Sequence, residues 1–179
     1  MTQWDDDKQS VTLDWGRRGR AGTAPREEEP VAPIVAEVTV SRPPGEVFPY
    51  ATDPSRFGEW QSGVVSGHIE GDGPTRVGSR CVMTRRVGGM VRTSVSEVTQ
   101  VKPPLAWAVH GIDGPVRADV SVTVDAVNGG AGSHVTIRVD FRGHGAGVIL
   151  LPLVLRQARK EVPRSCRNLK RRLETAANL

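Results

Sequence analysis

The stretch from Leu151 to Leu179 constrains this 179-residue chain more than any other segment. Laid out at about 100° per residue, Leu151, Leu155, Ala158, Val162, Cys166, Leu169, Leu173 and Ala176 fall within one arc of roughly 80°. Arg156, Arg159, Lys160, Arg164, Arg167, Lys170 and Arg171 fall outside it. A long helix with a single apolar stripe has to bury that stripe against another element. The chain before it alternates like strands, so the partner is a sheet. A curved sheet gripping one long helix leaves a cavity between the two, and that cavity is where a ligand is expected.

The strand pattern begins at residue 34. Ile34, Ala36, Val38 and Val40 alternate with Val35, Glu37 and Thr39, the period of two expected of a half-buried strand. Ser41 ahead of Pro43-Pro44 reads as a helix cap with proline at the first helical positions, and Val47, Phe48 and Tyr50 supply an apolar turn. Asp53-Pro54-Ser55 opens a second short helix running through Phe57 to Trp60. Strands are then predicted over 64–70, 79–87, 90–101, 105–112, 116–127 and 134–142. Between them lie Gly71-Asp72-Gly73-Pro74, Gly88-Gly89, Pro103-Pro104, Asp113-Gly114-Pro115 and Asn128-Gly129-Gly130, all turn formers. Connections this short join antiparallel neighbours, so the sheet is a meander. Gly143, Gly145 and Gly147 give the chain room to cross back over the sheet, and Pro163 bends the helix from its polar side.

Residues 1–30 read differently. They hold the acidic runs Asp5–Asp7 and Glu27–Glu29, the basic group Arg17, Arg18 and Arg20, and no sustained periodicity, which predicts a disordered tail ahead of a domain over 31–179. Trp4 and Trp15 stand against that reading, since the segment Val11–Trp15 has the character of a docking strip. The first residues lack the apolar core of a signal peptide and no window approaches a membrane span, which predicts a cytoplasmic protein. Cys81 and Cys166 lie far apart without a partner motif, as expected of free thiols.

The net charge of +4 is unevenly spread. Residues 34–144 carry eleven basic and eleven acidic side chains, whereas 145–179 carry eight and two. The positive excess describes one helix and not a basic domain, so specific nucleic-acid binding is not expected. Arg159, Lys160, Arg167, Lys170 and Arg171 could instead meet an anionic surface.

Several local motifs fall in one order. Ser41-Arg42-Pro43-Pro44-Gly45-Glu46-Val47-Phe48 comes first, then Asp53 with Trp60 seven residues later, then Val77-Gly78-Ser79. Val98 with Pro103-Pro104 and the ending Asn168-Leu169-Lys170-Arg171-Arg172-Leu173-Glu174 complete the set. With these motifs the chain from about 34 to 175 resembles the SRPBCC superfamily, in particular its polyketide cyclase/dehydrase-like branch. That superfamily also holds START lipid-transfer domains, plant pollen allergens and coenzyme-Q-binding proteins. The resemblance implies an α+β helix-grip fold: a seven-stranded curved antiparallel sheet around one long C-terminal helix, with two short helices after the first strand. Its members share a hydrophobic cavity and no common reaction, so it implies a ligand class and no chemistry.

The side chains expected to line such a cavity follow from strand parity. A two-residue turn at Gly88-Gly89 pairs Val82 with Val95, Thr84 with Thr93, Arg86 with Val91 and Arg80 with Glu97. The alternative face would set Arg85 directly against Arg92, a repulsive pair tolerable only in water or around an anion. The inward face is therefore expected to hold Val82, Thr84, Val91, Thr93 and Val95, with Arg86 at the cavity's end. Val120 and Val122 oppose a polar set and point inward; if Leu105, Trp107 and Val109 point inward too, His110 points out, whereas the reverse would bury His110 beside Ala106 and Ala108. Leu155 and Val162 are expected to close the cavity from the helix, and Trp60 to form a wall or lid or else simply to pack in the core.

No metal-ligand spacing, nucleophile elbow or phosphate loop occurs, and no cofactor is expected. The favoured reading is a module binding a small hydrophobic molecule such as a lipid, quinone or polyketide. A cyclase or aromatase is the alternative, with Tyr50, Arg86 and His110 as its candidate polar groups, provided they converge in one pocket. An interaction module using the basic helix face is the third reading.

Overall fold

The computed structural model describes residues 32–87 and 89–175. The expected N-terminal tail with Trp4 and Trp15, the turn residue Gly88 and the end of the helix stripe at Ala176 lie outside the described residues.

The first strand, β1 (Ile34–Val40), has the alternating burial that its sequence carries. Helix α1 (Pro44–Thr52) follows, capped by the backbone of Pro43 with Pro44 in the first turn. Ser41 is not the cap: its N–H donates to Glu174 Oε1 at 3.0 Å, tying the exit of β1 to the far end of the C-terminal helix. That bond, with nearby Lys170, holds the Glu174 carboxyl below its usual range. Asp53 does act as a cap, accepting from the Ser55 N–H at 2.9 Å and from its hydroxyl at 2.7 Å. It starts a 3-10 turn, Pro54–Arg56, that runs into α2 (Phe57–Trp60).

The remaining strands are β2 (Val64–Ile69), β3 (Arg80–Val87), β4 (Met90–Lys102), β5 (Ala106–Gly111), β6 (Val116–Val127) and β7 (Gly132–Gly143). All seven make one antiparallel sheet in the order β1-β7-β6-β5-β4-β3-β2. Helix α3 (Gly147–Thr175) packs its stripe on β1, β7 and β6, and its C-terminal half on α2. Leu155, Ala158, Cys166, Leu169 and Leu173 are buried, while Leu151 and Val162 are half-buried beside them. Two side chains anchor α3 to the short helix: Asn168 Nδ2 donates to the Trp60 carbonyl at 3.1 Å and Arg172 Nε to the Glu59 carbonyl at 3.1 Å. The helix-grip architecture is thus present as expected.

One expectation is overturned. The β3–β4 pairs are those the sequence gives, Val82 with Val95, Thr84 with Thr93 and Arg86 with Val91, but the hairpin shows its other face to the helix. Cys81 and Met83 are in the core, whereas Val91 and Thr93 are exposed and Val82, Thr84 and Val95 half-buried on the convex side. The reason lies one strand further on. Trp107 and Val109 of β5 must be buried, and the ladder sets Val98 against Val109. A register shift between Val98 and Gln100 then brings Val101 opposite Trp107, so parity carried back from Val101 toward the turn assigns the hairpin the wrong face. Leu105 differs as well: it lies in the turn before β5 and is exposed.

Candidate functional site: the open end of the concave face

The concave side of the sheet grades from closed to open along β4. Val98 is fully buried and Ser96 half-buried, while Ser94, Arg92 and Met90, which follow on the same face, are exposed. The paired residues of β3 follow suit from Cys81 through Met83 and Arg85 to Val87. Near the hairpin the sheet therefore extends past the packed core and presents its inner face to an open space.

Arg85 and Arg92 are direct cross-strand partners on that inner face. Arg85 Nη2 donates to Gln61 Oε1, just after α2, at 2.6 Å. Burial of its guanidinium lowers the Arg85 pKa, and Glu161 on α3 opposes that shift. Glu161 in turn accepts from Gln157 Nε2 at 2.9 Å. Among the described residues no carboxylate forms an ion pair with Arg85 or Arg92. An amide partner satisfies one N–H of five and neutralises no charge. The arrangement is suited to an anion bridging both guanidinium groups.

Deeper in, Phe57 bridges two tryptophans, with ring centroids 5.6 Å from Trp60 and 6.1 Å from Trp107, edge to face in both cases. Both indole N–H groups are buried without a protein acceptor. A buried donor left unpaired costs about 1–3 kcal/mol. Two such donors lie in one aromatic cluster of the interior.

The residues expected to touch a ligand separate into two groups. Trp60, Trp107, Val120, Val122, Leu155 and Val162 lie on the sheet–helix interior. Val82, Thr84, Val91, Thr93 and Val95 lie on the opposite side of the sheet, where Thr84 Oγ1 and Thr93 Oγ1 meet at 3.2 Å. Sequence reasoning missed Arg85, Arg92, Gln61, Met83 and Ser94. The like-charged pair was the available signal, since such a pair is tolerable only in water or around an anion.

The three polar candidates for catalysis do not converge. The Tyr50 hydroxyl donates to Glu59 Oε2 at 2.7 Å, with the Arg56 guanidinium 5.3 Å from the ring centre. Burial, then that bond and the Glu59 charge, push the phenol up to about 12. Arg86 is exposed on the convex side. His110 is on the convex side too, its Nδ1 2.6 Å from Asp119 Oδ1, with Asp119 also held by Arg142. It borders a surface depression of about 320 Å³ that includes Thr99, Ser121, Arg138 and Asp140. His110 pairs with Glu97 and Arg86 lies six residues beyond Arg80, the Glu97 partner, so they sit about 20 Å apart along the strands. Among the described residues no cluster of His, Cys, Asp or Glu is set to hold a metal ion. No described helix is long and apolar enough to cross a membrane.

Sheet, short helices and gripped C-terminal helix define this protein as a helix-grip protein. The sequence profile of the family described as polyketide cyclase / dehydrase and lipid transport matches residues 32–174, and the chain belongs to that family. No curated protein sequence matches it. Solved structures carry the same fold at low identity. An aromatase/cyclase from Streptomyces sp. R1128 is 13% identical with a TM-score of 0.68, covering 80% of this chain and 93% of its own. A Thermus thermophilus protein is 18% identical with a TM-score of 0.66, covering 81% and 99%. A START superfamily protein from Mycobacterium smegmatis is 11% identical with a TM-score of 0.65, covering 80% and 98%.

Proposed function

We propose that this protein binds a small apolar molecule with an anionic end in the concavity between the sheet and α3. The observation carrying this reading is the facing pair Arg85 and Arg92, positioned on the inner face without an ion-pair partner among the described residues. The apolar part of the ligand would run toward Met83, Trp107 and Trp60, and its carboxylate or phosphate would sit between the two guanidinium groups. Carbonyl or hydroxyl oxygens along it would find the Trp60 and Trp107 N–H groups. Carriage is favoured over cyclisation because Tyr50, Arg86 and His110 do not share a pocket.

Fluorescence titration with a long-chain fatty-acid probe and its methyl ester tests the reading. The acid is expected to bind at least about tenfold more tightly than the ester, a difference worth ~1.4 kcal/mol, and Arg85→Gln should remove the preference. Equal affinity for acid and ester in the native protein would refute the anionic end. Failure of both to bind would refute apolar carriage.

A further inference from the structure

The solvent side of α3 carries a stripe that no contact among the described residues explains. At about 100° per residue, Ile149, Leu153, Arg156, Lys160, Arg164, Arg167 and Arg171 fall within one arc of roughly 80°, pointing away from the sheet. All seven are exposed. Ile149 is 83% and Leu153 66% exposed, and the neighbouring Leu150 and Val148 are 47% and 44% exposed. A single exposed leucine needs no explanation, but large aliphatic side chains grouped on the first two turns of a helix do.

The stripe is apolar at its start and cationic for the rest of its length. Arg156, Lys160, Arg164 and Arg167 make no ion pair with a described carboxylate. Two carboxylates lie on this helix. Glu161 accepts from Gln157, and Glu174 is taken up by Lys170 and the Ser41 N–H. The start of the helix is also held in place. Gly147 abuts the Pro115 carbonyl so closely that a Cβ there would overlap it, and the His144 N–H donates to the same carbonyl at 2.7 Å. The exposed aliphatics therefore project from a supported end.

We infer that this stripe docks on an anionic lipid surface, with Ile149 and Leu153 entering the acyl boundary and the arginines and lysine lying along the headgroups. Apolar tips beside a row of cations are the pattern of a helix that lies in the interface plane. Nucleic acid fits this stripe less well. Phosphate contacts leave the two aliphatics unused, and α3 contains no aromatic residue on which a base could stack. The surface is opposite the stripe that closes the concavity, so it stands independently of the ligand reading.

Flotation of the full chain with phosphatidylcholine vesicles, with and without phosphatidylglycerol, tests it. Binding should need phosphatidylglycerol and weaken as salt rises. Ile149→Asp with Leu153→Asp should reduce binding by at least about tenfold although every cation of the stripe remains, and Lys160→Glu with Arg164→Glu should do the same. Circular dichroism melts would confirm that both variants fold, which the exposure of all four positions favours. Binding unaffected by the aspartates would overturn the apolar anchor. Salt-sensitive binding to RNA with none to vesicles would assign the stripe to nucleic acid instead. Concentration-dependent dimerisation lost in Leu153→Asp, without vesicle binding, would assign it to a second copy of the chain.

Discussion

Arg85 and Arg92 stand directly opposite each other on the concave side of the β3–β4 hairpin, with Gln61 as the hydrogen-bond partner of the first. Like charges so placed weaken an antiparallel pair by about 0.2–1 kcal/mol. Arg92 is exposed, so its removal opens no cavity in the core. Arg92→Ser is expected to raise the unfolding free energy by about 0.5 kcal/mol at low salt, with the gain shrinking as salt screens the pair. Urea titrations at low and high sodium chloride measure this. Sulfate at matched ionic strength should raise the Tm of the native protein more than that of Arg92→Ser. An identical response in both would leave the pair with no anion to hold.

How much of this was readable beforehand differs between fold and site. The helix stripe from Leu155 to Leu173 and the strand boundaries follow from periodicity, because burial on one face imposes a period the sequence has to carry. Every pair of the β3–β4 ladder follows from the turn. Which side faces α3 does not, because Val82 and Val95 are as apolar as Cys81 and Met83, and the deciding register shift at Val98/Gln100 leaves no mark in composition. The site inherits that ambiguity. A rule against setting like charges face to face pointed away from Arg85 and Arg92, and the open end of the sheet tolerates the pair because Arg92 is exposed and Arg85 only half-buried.

Gly67 shows how closely the short helices lie on the sheet. A Cβ at this position would come within 2.5 Å of the Pro54 carbonyl oxygen and 2.6 Å of Met83 Sδ. The methionine could move aside; the backbone of the 3-10 turn could not without shifting α2 and Gln61. Gly67→Ala is expected to destabilise the fold by about 1–3 kcal/mol, seen as a lower midpoint in urea. A neutral result would mean that β2 and the Pro54 turn separate freely.

Tyr50 is the only tyrosine in the chain, so its titration can be followed by ultraviolet absorbance without assignment. Burial first, then the Glu59 hydrogen bond and charge, raise its pKa from 10.0 to about 12. The folded protein should therefore ionise its phenol near pH 12. Between pH 10 and 12 the folded state holds a proton that the unfolded state has lost, so this contribution to stability is complete below pH 10 and disappears as pH rises toward 12. Glu59→Gln should move the midpoint part of the way back toward 10, because burial remains. A native midpoint at 10 would show that neither the burial of Tyr50 nor its contact with Glu59 persists in solution.

Ser94 and Val95 are sequence neighbours on opposite sides of the sheet, and enlarging each in turn distinguishes its faces by function. Ser94 is on the concave side opposite Met83, and Val95 is on the convex side opposite Val82. Tryptophan at 94 would project over the open end of the concavity, in the space between Arg92 and the buried aromatic cluster. Tryptophan at 95 would extend the outer surface beside Thr84 and Thr93. Ser94→Trp is expected to reduce fatty-acid probe affinity by at least about tenfold, and Val95→Trp to leave it within about twofold, since steric exclusion acts only where the ligand lies. Both substitutions are at positions with solvent access, so thermal melts should show each variant folded. The reverse ranking would place the ligand on the convex side, near the depression beside His110 and Asp119, and would remove Arg85 and Arg92 from the binding site.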